Sequence, residues 1–152
     1  VHEIKKSVPE EVIAARQKVA RDFYEKQGYS SDRVEQHLMG IDFSKPVTKE
    51  VLPAGTRISQ WQIPGGELGD YYTVSGTTPS ELGVNPRGED ILGGNIYMKV
   101  EKEYILLDDM SVLKSTAASI IDDWSVEGES FSAVGGGIQV FSPQLSLVIQ
   151  GV

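Results

Sequence analysis

The chain has 152 residues, with 14 Lys+Arg against 22 Asp+Glu, 39% hydrophobic residues and no cysteine. That length can bury a core, and the missing cysteine excludes a disulfide framework, a thiolate zinc site and a cysteine nucleophile. The net charge of −8 falls wholly beyond residue 50, since residues 1–50 carry 9 basic and 9 acidic side chains while 51–152 carry 5 and 13, and so acidic a surface disfavours binding to a nucleic-acid backbone.

Fourteen of the 16 glycines also lie beyond residue 50. The two shifts divide one expected domain, 1–152, into a helical part over 1–40 and a sheet part over 41–152, sharing a core. No apolar run reaches the ~20 residues of a membrane span, and the N-terminus lacks the apolar core of a signal peptide. A chain that begins with Val reads as a piece excised from something longer.

Ser7-Val8-Pro9-Glu10 has capping-box spacing with Pro in the first turn, which predicts a helix start. Val12, Ala15, Val19 and Phe23 form its apolar stripe and Gly28 ends it. A second helix is expected from Ser31 as N-cap to Gly40, with His37 as a surface residue. From residue 41 the period becomes two, predicting strands over 47–52 and 56–63 around the turn Pro53-Ala54-Gly55. Thr56, Ile58, Gln60 and Gln62 share one face of the second strand and Arg57, Ser59, Trp61 and Ile63 the other, so one face is expected to bury apolar bulk and the other to offer amides. A strand over 70–74 follows, then the capping box Thr78-Pro79-Ser80-Glu81 opening a short helix that ends at Gly83. Further strands are expected over 95–100, 103–107, 131–134, 138–141 and 145–149, while 115–121 fits a strand or a short helix. The fold class is α+β, helices first and then a mainly antiparallel sheet assembly.

The usual catalytic sets are missing. With His2 and His37 as the only histidines, metal-ligand spacings and triads have little to build on, and there is no GxSxG turn, Walker loop or GxGxxG. What remains is amides, aromatics and one acidic pair near glycine-rich turns: Gln60 and Gln62 with Trp61, Tyr71-Tyr72, Asp122-Asp123 with Trp124, and Gln139 after Gly135-Gly136-Gly137. Glycines beside a strand let a ligand approach the backbone closely. Each feature also has a structural explanation, since the glycines can make a bulged turn, the tyrosines can pack and the aspartates can solvate a loop.

The ordered run Leu52-Pro53-Ala54-Gly55-Thr56-Arg57-Ile58-Ser59-Gln60-Trp61, then Gly69-Asp70-Tyr71-Tyr72-Thr73, then Thr78-Pro79-Ser80-Glu81-Leu82-Gly83, resembles the opening of NAD-cleaving bacterial toxin domains with an ADP-ribosyltransferase-like fold. Residues 117–125 and Gly135-Gly136-Gly137-Ile138-Gln139-Val140-Phe141 look like the C-terminal part of the same family. The chain resembles the polymorphic toxin type 46 family, the C-terminal NAD(P)-glycohydrolase domain of type VI secretion effectors, over roughly residues 41–142. The ending Gly-Gly-Gly-x-Gln is also similar to the tuberculosis necrotizing toxin group.

The resemblance implies a toxin domain fused to a delivery module, injected by type VI secretion into the cytoplasm of a competing bacterium and blocked in its producer by a cognate immunity protein. Association with elongation factor Tu is implied for some members. NAD or NADP is the implied substrate, with no further cofactor and no metal. The basic residue that many relatives place on the first strand to hold NAD phosphates is Gln60 here, and no glutamate follows Gln139 in the pattern of protein-modifying transferases, which points to hydrolysis. Cleaving the bond to nicotinamide, a cationic leaving group, needs no strong general acid; a carboxylate must stabilise an oxocarbenium-like ribose. Asp122 or Asp123 is the candidate, with Asp122 preferred. Gln60 and Gln139 would hydrogen-bond ribose, amide or water, Tyr71 or Tyr72 would stack on a ring, and Trp61 and Gly136 would lie beside the ligand. Rival readings are a transferase placing ADP-ribose on a macromolecule and a non-catalytic binding module.

Overall fold

The computed structural model describes residues 8–66, 68–90 and 94–152. Helix α1 (Glu10–Lys26) starts on Pro9, whose carbonyl accepts from the N–H groups of Val12 and Ile13; Ser7, the expected cap, lies outside the described residues. Helix α2 (Ser31–Met39) is capped one residue earlier than expected, by Ser30, whose side chain accepts from the Arg33 N–H. The strands are β1 (Thr48–Leu52), β2 (Arg57–Gln62), β3 (Tyr71–Tyr72), β4 (Arg87–Glu89), β5 (Ile96–Met98), β6 (Val100–Leu106), β7 (Met110–Thr116), β8 (Ile120–Asp122), β9 (Phe131–Ala133), β10 (Ile138–Phe141) and β11 (Ile149–Gly151). The class is α+β, as expected.

Among the described residues the strands form a four-stranded sheet in the order β1-β7-β10-β3, a three-stranded sheet β11-β6-β2, and the pairs β4-β5 and β8-β9, all antiparallel. Alternation along the central strands organises the layers. Leu113 and Phe141 turn toward the helices and join Ala20, Phe23, Tyr24, Val34 and Leu38. Their neighbours Val112 and Val140 turn the other way and join Ile58, Tyr72, Leu106 and Leu145. The four-stranded sheet is therefore a middle layer, with helices on one face and the β2-containing sheet on the other. A bridge between Ser59 and Thr73, with N–H to O distances of 2.7 and 2.9 Å, ties β2 to the chain just after β3.

Several expectations change. Only the C-terminal half of the α1 stripe is covered: Phe23 is buried, whereas Val12 and Ala15 are exposed, because the sheet meets the helix beyond its midpoint. His37 is half-buried, not a surface residue; its ring stacks on Tyr24 with centroids 4.7 Å apart. The faces of β2 do not separate apolar from amide, since Ile58 enters the second core on the face that carries Gln60 and Gln62. The expected strand over 145–149 is a 3₁₀ turn, Leu145–Leu147, followed by β11. The capping box at Thr78 forms as read: Glu81 Oε1 accepts from the Thr78 N–H at 3.0 Å, and Thr78 Oγ1 accepts from the Glu81 N–H at 3.3 Å.

Candidate active site

A cleft of about 1040 Å³ opens where β2 and β3 converge, walled also by the β4 end, Lys99 and the turn after β8. Gln60, Trp61, Gln62, Tyr71, Tyr72 and Gln139 all line it. Asp122, Asp123 and Gly136 are not among the lining residues.

Gln60 is buried and bonded at both ends of its amide. Its Nε2 donates to the Tyr71 carbonyl at 2.8 Å, and its Oε1 accepts from Gln62 Nε2 at 2.8 Å and from the Gly69 N–H at 3.2 Å. Gln62 also donates to the Tyr104 hydroxyl at 2.8 Å. Gln139 donates through Nε2 to Ser115 Oγ at 3.1 Å and to the Gly40 carbonyl at 3.3 Å, while its Oε1 makes no hydrogen bond to another described residue. Trp61 is fixed by its indole N–H on the Thr77 carbonyl at 2.7 Å.

The tyrosine pair diverges as strand neighbours must. Tyr71 points to the helices, where its hydroxyl lies 2.7 Å from His37 Nδ1 and 2.8 Å from the Tyr24 hydroxyl. Burial pushes its ionisation well above the usual tyrosine range, with the neighbouring Tyr24 next in weight. Burial likewise lowers the His37 pKa, with the Arg33 cation adding to the fall and Asp70 opposing it. Tyr72 points into the second core, edge-on to Tyr104. Among the described residues, Ser59 Oγ and Tyr72 Oη are buried without a hydrogen-bond partner, and both residues border the cleft. Unpaired buried oxygens are uncommon in native interiors.

The acidic pair also diverges. Asp123 is exposed, whereas Asp122 is completely buried. The Asp122 carboxylate accepts from the backbone N–H of Asn85 at 2.7 Å, of Trp124 at 3.0 Å and of Ser125 at 2.9 Å, and from the Ser125 hydroxyl at 2.5 Å. Burial alone would raise its pKa; the Ser125 hydroxyl and the three backbone donors outweigh that and hold it below the usual carboxylate range. Asp122 thus shapes the wall from behind, because the turn it closes presents Trp124 and Ser125 to the cleft.

Gly136 donates its N–H to the Ala117 carbonyl at 2.8 Å, between two neighbours docked on the 3₁₀ turn Ser80–Leu82: Gly135 donates to Ser80 O at 3.0 Å and Gly137 to Glu81 O at 2.8 Å. A Cβ on Gly135 would lie 2.5 Å from the Ala118 carbonyl carbon, and its φ of +71° already favours glycine. The triple glycine is thus a backbone seam between β10, the end of β7 and the 3₁₀ turn.

The cleft includes charged residues that sequence reasoning did not select. Asp70, Glu89 and Asp90 line it, and Lys99 is its one cation among the described residues. Asp70 stood inside the quoted run Gly69-Asp70-Tyr71-Tyr72, whereas Lys99 had no local signal. Among the described residues no three His, Cys, Asp or Glu side chains cluster as metal ligands, and no helix is long and apolar enough to cross a membrane.

The fold is similar to that of a solved chain described as "Structure of Tse6 in complex with Tsi6": the match covers 99% of this chain and 98% of that one, with a TM-score of 0.78 at 30% identity. The model of the family Bacterial toxin 46 matches residues 9–148, and the chain belongs to that family, the one its motifs resemble. A curated relative is the NAD(P)(+) glycohydrolase toxin Tse6 of Pseudomonas aeruginosa PAO1, 39% identical over 124 residues. Those residues are 81% of this chain and 29% of the relative, so the chain spans less than a third of that protein's length.

Proposed function

We propose that this domain is an NAD(P)+ glycohydrolase toxin, hydrolysing the bond between nicotinamide and ribose. The observation that carries the reading is the 39% identity to a glycohydrolase toxin, in a chain whose cleft is lined by Gln60, Gln62 and Gln139. In the reaction the bond from the ribose C1′ to the nicotinamide nitrogen breaks and its electron pair neutralises the pyridinium. A water oxygen then bonds to C1′ and releases a proton. The protein must hold the nicotinamide riboside, stabilise positive charge on the ribose and admit one water. Gln139 offers its Oε1 to the ligand, while Gln60 fixes the Gly69 N–H and the Tyr71 carbonyl around it. Asp70, in the wall between those two residues, supplies negative charge from the surface of the cleft, and Asp122 supports the opposite part of the wall through Trp124 and Ser125.

By the same reading, a cognate immunity protein covers the cleft in the producer, and the domain acts in a recipient cytoplasm after delivery by the rest of a longer effector. The experiment is incubation of purified protein with NAD+ and, separately, NADP+, following free nicotinamide and ADP-ribose with no acceptor present. Release of both products in equal amounts is expected. Release that requires an acceptor protein, with label retained on it, would make the domain a transferase, and no release would leave a binding module.

A further inference from the structure

The cleft poses an electrostatic problem. Three carboxylates line it, yet any dinucleotide brings a diphosphate bridge carrying two negative charges. Gln60 carries no charge to meet it, and both ends of its amide are occupied by protein groups.

Resting on the glycohydrolase reading above, we propose that Lys99 is the diphosphate anchor of this cleft, held in place by Ser125 and Asp122, with the nicotinamide riboside at the amide cluster. Three observations carry the assignment. Lys99 is the sole cationic side chain among the described residues of the wall. Its position is built. The Lys99 N–H donates to the Pro86 carbonyl at 2.8 Å, and its stem crosses Gly88, where a Cβ would lie 3.3 Å from Lys99 Cε and 2.6 Å from Ile63 Cγ2. A side chain at residue 88 would push both away. The ammonium is held without being neutralised directly: it donates to Ser125 Oγ at 3.3 Å, and Ser125 Oγ donates to Asp122 Oδ2 at 2.5 Å. The carboxylate is thus one hydroxyl removed, and among the described residues Lys99 makes no ion pair, so it retains donors for an incoming anion. Burial lowers the Lys99 pKa while Asp122 opposes the fall, in line with a cation held partly out of water.

The spacing fits the ligand. In the β2–β6 register Gln60 pairs with Lys102 and Gln62 with Val100, so the next step sets Lys99 beside Ile63. Three residues of backbone, about 10 Å, separate that position from Gln60, and both Lys99 and Gln60 line the same cleft, which leaves room for one nucleoside between them. Lysine suits this place as a compact charge on a flexible stem.

The test compares Lys99→Met, which keeps the stem and removes the charge, with Lys99→Arg, which keeps the charge. For Lys99→Met, KM for NAD+ and the inhibition constant of ADP-ribose should both rise about tenfold or more, kcat should fall by less, and inhibition by nicotinamide, which has no phosphate, should stay within about twofold. Lys99→Arg should recover most of the loss. A purely structural lysine would weaken all three ligands alike, and that result, or an unchanged ADP-ribose constant in folded Lys99→Met, overturns the proposal. If Lys99→Met does not fold, a folded Lys99→Arg whose ADP-ribose inhibition constant has risen about tenfold or more overturns it equally. ADP-ribose binding by calorimetry separates the two readings: wild-type protein that binds ADP-ribose through Lys99 but releases no nicotinamide would defeat the glycohydrolase assignment and leave the anchor intact.

Discussion

The backbone N–H of Asn85 and the Asp122 carboxylate meet at 2.7 Å across 37 residues of chain, joining the segment after the 3₁₀ turn Ser80–Leu82 to the turn after β8. Asn85 is itself tied onward, its side-chain amide donating to Glu129 at 2.9 Å and its Oδ1 accepting from the Arg87 N–H at 2.9 Å. One buried carboxylate therefore closes a loop cluster along one side of the cleft.

Asp122→Ala should lose stability and activity together. Three backbone donors and a hydroxyl lose their acceptor, a cost of about 3 kcal/mol or more, and the turn presenting Trp124 and Ser125 loosens. Asp123→Ala, on an exposed side chain, should change both by little. Thermal melting and nicotinamide release measured on each variant check this; equal, mild effects would remove Asp122 from the site's framework.

Asp122 also sets an acid limit. Its folded pKa is depressed, so the stability it contributes is present above the unfolded carboxylate value near 3.8 and is lost as pH falls through the lower folded value. Followed by circular dichroism, wild type should lose more of its own neutral stability than Asp122→Asn as pH falls below the unfolded carboxylate value; an equal or smaller loss in wild type would mean that the sign is wrong.

His37 acts nearer neutrality. Its folded pKa lies below the ordinary 6.5, so the unfolded chain takes up the proton first as pH falls. Stability from this ring is full above 6.5 and declines as pH drops through the lower folded value. His37→Gln should flatten the wild-type fall in melting temperature between about pH 7.5 and pH 5. An unchanged slope would place the titration elsewhere.

The two glutamines should separate. Gln60→Ala strands the Gly69 N–H and the Tyr71 carbonyl, costing about 1–3 kcal/mol, a melting shift of several degrees at this size, with activity lost. Gln139→Ala frees only the Ser115 hydroxyl and the Gly40 carbonyl, so activity should fall while melting moves by about 2 °C. Matched falls in both variants would return Gln139 to a purely structural role.

Gly135→Ala should be among the most damaging conservative changes. A methyl 2.5 Å from backbone on a residue at φ +71° forces the seam apart, for about 2 kcal/mol or more. Gly136→Ala meets nothing within 4 Å, though its φ of +91° still carries strain, so it should cost less. Denaturant midpoints of the two variants provide the check.

Local signals were legible where the chain uses them locally. The Thr78 capping box, β10 and β2 follow from spacing alone, and polar Gln60 and Gln139 stood out inside apolar strands. β7 did not, because Val112, Leu113, Ser115 and Thr116 are all buried: a strand covered on both faces shows no alternation. Asp122 was singled out for its charge, but its direction was hidden. The Asp-x-Trp-Ser spacing that lets its carboxylate fold back on its own turn is as local a signal as a cap. Lys99 and Asp70 reach the cleft through the β2–β6 and β3–β10 registers, which pair residues tens of positions apart.

Because Val112 and Leu113 serve opposite cores from adjacent positions of β7, and Val140 and Phe141 do so from β10, no slippage by one residue is tolerated in either strand: each would exchange its partners on both faces at once. These two strands are also the ones flanked on both edges within the four-stranded sheet. Their amide protons should be the slowest in the molecule to trade with deuterated solvent, opening only with global unfolding. The helices on one side and the cleft sheet on the other would then melt in a single cooperative step, and damage to the α1 packing would register as faster exchange beneath the cleft.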